Sequence, residues 1–327
     1  MSKAIVIGGG VAGPATALFL RRAGWDCEIY EARATPDPYG GLFLNVATNG
    51  LAVLEQLELR ARLLEDVHPC PYMVMLGSRG KPLGIVPNGP AGQPERGSVI
   101  ARRAWLHQVL GDAVRDEGIP MNRDARIIDI EDGQDRVRAT FADGSHAEGD
   151  VLIGCDGVGS VIRRWIDPAA PEPEYTGLVS VGGFAHVPGL EPTPETQTMV
   201  FGARSFFGYL VREDGTVYWF ANLTTPEPSR DALRDVPSGA WLAQLGELHA
   251  DDPYPVPQIL AGVVEGVGAY PIYDLAHVPS WHRGRVVGAG DAMHATSPSA
   301  GQGASLALED AISLARCLRD HGRHQDA

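Results

Sequence analysis

The feature that most constrains the fold is a glycine turn close to the start of the chain. An apolar run, Lys3–Ile7, leads into Gly8-Gly-Gly10-Val11-Ala12-Gly13, and a helical stretch, Pro14–Ala23, follows and is closed by Gly24. A second strand pattern, Asp26–Tyr30, ends at Glu31. This is a strand–helix–strand unit of the parallel-sheet kind at its normal length. In GxGxxG the first glycine permits the tight turn, the second lets the backbone approach a pyrophosphate, and the third lets helix and strand pack closely. A carboxylate at the end of the second strand accepts hydrogen bonds from both ribose hydroxyls of an adenosine and repels a 2′-phosphate. Arg33, two residues on, works against that repulsion. Taken alone, the turn does not separate NAD from FAD.

A second glycine-led segment lies at the opposite end, from Arg285 to Ala304. It reads as a strand, a sharp turn at Gly290-Asp291, and a helix opened by Gly301-Gln302-Gly303. Bare N–H groups at such a helix start suit an electron-rich ligand edge. Two glycine-rich turns so far apart point to one long cofactor held at both ends. A third segment, the apolar strand Val151–Gly154, runs into Cys155-Asp156-Gly157.

Between these segments, Leu51–Glu65 and Ala104–Glu117 show helical periodicity, and Arg126–Ile130 and Arg136–Phe141 read as strands. From about Pro168 alternating strand patterns take over: Val179–Val187, Thr198–Phe201, Phe207–Arg212 and Thr216–Asn222. Glu213-Asp214-Gly215 turns between the last two, and Trp241–Ala250 reads as a helix. Nucleotide-domain character returns at Arg285.

The formal net charge of −14 and the lack of a dense Lys/Arg run argue against nucleic acid or anionic membranes as partners. Cys27, Cys70, Cys155 and Cys317 form no CxxC and no zinc spacing, which fits a reducing cytoplasm and no metal site. No apolar stretch reaches the length of a bilayer span, and no signal peptide is evident. Ser160 and Ser299 lack a nucleophile-elbow setting, so no hydrolytic site competes.

The three segments, in this order and spacing, resemble the FAD-dependent aromatic hydroxylase family, the single-component flavoprotein monooxygenases. The resemblance runs from Ser2 to about Leu318. It implies an α/β fold in which a Rossmann-like three-layer FAD-binding domain carries an inserted antiparallel-sheet substrate domain. The corresponding division is 1–170 for the first part of the FAD-binding domain, 171–280 for the sheet domain and 281–327 for the return segment and helix. It implies bound FAD, transient NADH or NADPH, O2, and an aromatic or polyketide-like small molecule, in the manner of secondary metabolism. Hydroxylation would pass through a flavin C4a-hydroperoxide, in a monomer or homodimer. An FAD-dependent dehydrogenase or reductase on the same scaffold, or a non-catalytic flavin-binding protein, stays open.

Residue by residue, the resemblance implies that Glu31, with Ala32 and Arg33 beside it, holds the adenosine ribose. Gly8, Gly10, Val11, Ala12 and Gly13 would line the pyrophosphate. Arg103 would touch the phosphate–ribityl region, and Arg126 and Ile127 would contact adenine through the backbone. Asp156 would serve both FAD and the visiting nicotinamide. Asp291, after Gly290, would accept from a ribityl hydroxyl. Pro298, Gly301, Gln302, Gly303 and Ala304 would line the isoalloxazine, where the helix N-terminus favours negative charge on the reduced ring. His294 is a candidate base, with a structural place near the flavin the stronger reading. Arg204, Tyr209 and Tyr218 are candidate substrate contacts from the middle sheet, each weighed against a plain packing or surface role. Cys155 stands where relatives usually carry alanine. Relatives commonly continue beyond the helix that begins near Gly303, with further helices closing the substrate pocket.

Overall fold

The computed structural model describes residues 2–35, 42–229, 233, 235–264 and 266–321. Its centre is a six-stranded sheet. The strand Lys3–Ile7 lies between Asp26–Glu31 and Val151–Gly154 and is parallel to both. Val286–Gly288 joins outside Val151–Gly154, also parallel. Met121–Arg123 joins outside Asp26–Glu31, and the two-residue strand His282–Arg283 closes the far edge antiparallel. Ala4, Ile5 and Val6 are wholly buried, as a strand covered on both faces must be. Three neighbouring parallel strands therefore end at Gly8, Cys155 and Ala289, bringing the three glycine-bearing segments to one edge. Ligands bind at this carboxyl edge in open α/β sheets.

One face of the sheet carries the helix Ala12–Arg22, against which the long helix Gly303–His321 packs. The helix Thr48–Gln56 lies on the long helix in turn. A Cβ on Gly50 would stand 2.5 Å from Ser305 Oγ, so glycine is needed for that approach. The other face is covered by a three-stranded antiparallel sheet of Ile127–Asp132, Val137–Phe141 and His146–Gly149. Phe141 stacks on Tyr30 with ring centres 4.4 Å apart. The result is three layers: helices, parallel sheet, antiparallel sheet.

A seven-stranded sheet stands apart from these layers. It runs Gly268–Asp274, Glu174–His186, Thr216–Thr224, Phe206–Val211, Thr196–Phe201, Tyr72–Gly77, Pro82–Pro87. Alternation divides its side chains. Val217, Trp219, Ala221 and Leu223 point into a core closed by the helices Ser238–Leu248 and Val256–Ala261. Tyr218 and Phe220 point the other way, where both meet Phe43. Phe43 belongs to a small sheet of Phe43–Val46, Val99–Arg102 and Val67–Pro69 that joins the two halves.

Two elements differ from the sequence reading. Leu51–Glu65 is not one helix: Thr48–Gln56 stops before Glu58, which takes a left-handed φ of 62°, and a short turn of helix resumes at Arg60–Leu63. Residues 72–87, placed by sequence within the first segment, contribute two strands to the seven-stranded sheet. Met1 and residues 322–327 of the final segment lie outside the described residues.

Candidate cofactor and substrate site

The first turn is built by backbone against backbone. Gly8 has φ 115°, and a Cβ on it would sit 2.2 Å from the Cys155 carbonyl oxygen. A Cβ on Gly13 would sit 1.9 Å from the Gly8 carbonyl oxygen. Gly10 is different, since a Cβ there meets no protein atom within 4 Å. Its glycine is not required by the protein's own packing, and the open side is where a phosphate would approach. Val11 precedes the helix and Ala12 is its first residue. Glu31 Oε2 accepts from the Gly9 N–H at 2.7 Å and Oε1 from the Arg33 N–H at 2.8 Å. A carboxylate has lone pairs to spare beyond these two bonds, so ribose hydroxyls can still be received. Ala32 is half-buried and Arg33 exposed. The Ala125 N–H donates to the Glu31 carbonyl at 3.0 Å, which brings exposed Arg126 and buried Ile127 to the same end. The Arg126 carbonyl itself already accepts from Ala142 N–H at 2.8 Å.

The second segment is occupied with its own folding. Asp156 accepts from Ser160 Oγ at 2.5 Å and from the N–H groups of Val161 and Ile162 at 2.8 and 3.3 Å. It thereby serves the start of the helix Val161–Ile166, and burial pushes its carboxyl above the usual range. Arg163, in that helix, is fully buried and donates to the carbonyls of Val158 and Ala292 at 3.0 and 2.8 Å. It ties the second segment to the third. In sequence Arg163-Arg164 is an ordinary basic pair, and no local pattern reveals that the first member is interior.

The third segment is clamped at its turn. The Gly290 N–H donates to Asp310 Oδ2 at 2.7 Å, and the same oxygen lies 2.5 Å from His294 Nε2. The His294 ring stacks on Trp281 at 5.5 Å. The hydrogen bond to Asp310 raises the His294 pKa above its ordinary 6.5. His294 is therefore engaged in holding the turn, not presented to a reacting molecule. Asp291 is exposed, opens the short helix Asp291–His294, and makes no side-chain hydrogen bond among the described residues. A Cβ on Gly303 would lie 3.8 Å from Asp291 Oδ1, so the carboxylate stands beside the start of the long helix. Gly301 is left-handed at φ 61°, and its carbonyl accepts from Asn45 Nδ2 at 3.0 Å. Asn88 Nδ2 donates in turn to Asn45 Oδ1 at 3.2 Å. Pro298 is exposed, and Gln302, Gly303 and Ala304 are half-buried. Sequence reasoning missed Asn45, Asn88 and Asp310. Asp310 sits seven residues into the helix that Gly303 begins, a spacing that returns its side chain toward Gly290 only once the helix is docked.

The substrate candidates on the large sheet separate by strand alternation. Tyr218 is buried toward Phe43, and its hydroxyl oxygen accepts from Arg102 Nε and Arg212 Nη1, each at 2.9 Å. Tyr209 lies in the helix-covered core with Phe207 and Trp219, away from the nucleotide half. Arg204 is exposed and pairs with Asp251 at 3.3 Å, beside the helical cap. Tyr209 and Arg204 are thus not brought to the cofactor edge. Arg103 is exposed at the start of the helix Arg103–Asp116, and its N–H donates to the Leu42 carbonyl.

The open cradle at Gly10, the unengaged Asp291 carboxylate and the helix start at Gly303 fit the phosphates, ribityl chain and ring of FAD. A family model described as an FAD-binding domain matches residues 1–325. Aurachin C monooxygenase/isomerase of Stigmatella aurantiaca is 29% identical over 320 residues, covering 96% of this chain and 80% of that protein. 3-Amino-4-hydroxybenzoate 2-monooxygenase of Streptomyces cremeus is 31% identical over 319 residues, covering 96% and 77%. The crystal structure of Klebsiella pneumoniae HpxO complexed with FAD and uric acid superposes with a TM-score of 0.86 at 27% identity, covering 98% of this chain and 80% of that one. No helix among the described residues is long and apolar enough to cross a membrane. The nucleotide cradle and the family match together place the chain in the FAD-dependent aromatic hydroxylase family, the single-component flavoprotein monooxygenases.

Proposed function

We propose that this enzyme uses NAD(P)H and O2 to hydroxylate an aromatic or polyketide-like small molecule. FAD, when bound, supplies the redox and oxygen chemistry. The chain's own part is to hold and polarise. Glu31 anchors the adenosine ribose, and the N–H groups around Gly10 receive the pyrophosphate. Asp291 accepts from the ribityl chain, with Arg103 near its phosphate end. The N-terminus of the helix Gly303–His321 stands toward the ring, where its dipole favours negative charge in the reduced state. Asn45 holds the Gly301 carbonyl and so keeps that helix start in place.

The observation that carries the reading is the exposed Asp291 beside Gly303, across the shared edge from the Gly10 cradle. We assign the sheet unit the strands at 72–87 as well as those from 174 to 274, with its Phe43-facing side as the substrate wall. Free, scattered cysteines, three of them buried, suit the cytoplasm. The deciding experiment is NAD(P)H oxidation by the FAD-loaded protein across a panel of phenols, with product mass measured. A gain of one oxygen atom in the product is expected. Oxidised product without added oxygen would replace the monooxygenase reading with a dehydrogenase.

A further inference from the structure

The Phe43-facing side of the large sheet carries a definite chemistry. Gly182, Phe220, Gly208, Met199 and Met75 form one row across five strands. A Cβ on Gly208 would lie 2.3 Å from the Phe220 ring, so that ring lies across Gly208 along the sheet. The wall is therefore flat and apolar, with soft methionines beside the ring. The next row holds Ser180, Asn222 and Phe206.

From the row of Phe184 and Tyr218 to the row of Ser180 and Asn222, the described strand residues on this side include no charged residue and no histidine. The arginines nearby stand at the Phe184–Tyr218 end of this side or on the far side, with Arg102 over the Phe184 ring at 4.5 Å. Arg102 and Arg212 both donate to the Tyr218 hydroxyl, Arg212 also to Asp66, and Arg204 pairs with Asp251 on the far side. A carboxylate laid against the Ser180–Asn222 row would be desolvated with no counter-charge in that row. Asn222 is half-buried, and its Oδ1 is shielded without a hydrogen-bond partner among the described residues. Half a turn of the amide would break no bond at that oxygen.

We propose that the substrate is an uncharged planar aromatic bearing an O–H or N–H, received by the Asn222 amide, and that carboxylated aromatics are refused. The inference rests on the monooxygenase reading and narrows its substrate class. It separates this chain from its relative named for a hydroxybenzoate, at 31% identity.

The test is titration of the FAD-loaded protein with 2-naphthol, 2-methylnaphthalene and 2-naphthoate, followed by perturbation of the flavin absorbance. The naphthol is expected to bind about tenfold more tightly than the methyl compound and about a hundredfold more tightly than the carboxylate. In Asn222→Leu the naphthol should fall to the level of the methyl compound, whose own affinity stays within about twofold. Naphthoate binding as tightly as naphthol overturns the inference. So does equal binding of naphthol and methylnaphthalene to the unmodified protein, a comparison that needs no variant to fold. Binding of none of the three by FAD-loaded protein also overturns it. Failure to hold FAD at all would strike instead at the monooxygenase reading.

Discussion

The glycines of the nucleotide turn and those of the substrate wall answer to different neighbours. At Gly8 and Gly13 an added Cβ meets backbone oxygens at 2.2 and 1.9 Å. At Gly208 it meets a side chain, the Phe220 ring at 2.3 Å. Backbone atoms locked in a parallel sheet and a helix start have nowhere to go, whereas a ring on a half-buried face can turn aside. The cofactor half is thus held by its main chain and tolerates little change. The wall is set by side chains lying on a sheet, so substrate preference can shift without disturbing FAD binding.

The strongest test of that contrast is Gly13→Ala. It should destabilise the protein by more than about 3 kcal/mol and abolish FAD retention. Urea unfolding that superimposes on the wild-type curve would show that the turn has slack and remove the contrast. Gly208→Ala should leave FAD affinity and Tm near wild type while weakening substrate binding about fivefold, through displacement of Phe220. Loss of FAD from this variant would mean the wall and the cradle are one rigid unit. The smallest effect belongs to the clamp on the Gly290 turn. His294→Gln should lower Tm by roughly 3 °C at pH 5.5. Because Asp310 raises the His294 pKa, the charged pair stabilises fully below the unfolded value near 6.5 and is lost as pH rises through the raised one. The Tm difference should therefore shrink toward alkaline pH, and a difference constant across pH would assign His294 a packing role alone.

The wall was only partly legible in the sequence. Tyr209 and Tyr218 flank the same hairpin, and sequence offered both as substrate contacts. Facing pairs in antiparallel strands share a side, so Tyr209 follows Trp219 and Tyr218 follows Leu210 onto opposite faces. Which face looks toward the cofactor depends on where Phe43 docks, a contact about 175 residues away in the chain. The hairpin of Tyr72–Gly77 and Pro82–Pro87 was missed because the strand through which it joins the sheet begins only at Thr196. The adenosine end was easier. Its turn, helix and acid lie within one contiguous strand–helix–strand unit, and the close approach of Gly13 to the Gly8 carbonyl is made within it.

The sequence by itself determined the parallel nucleotide unit and the three glycine-bearing segments whose order and spacing carry the resemblance to the FAD family, since each shows as a run of adjacent residues. Tertiary structure decided what those segments do to one another. Asp156 turned inward to serve its own helix, and Asp310 came back along a helix to clamp Gly290 and His294. Asn45 reached the Gly301 carbonyl from a distant strand. The uncharged wall was decided there too, because a side chain's charge matters to a ligand only once docking has settled which partners claim it and which face it shares.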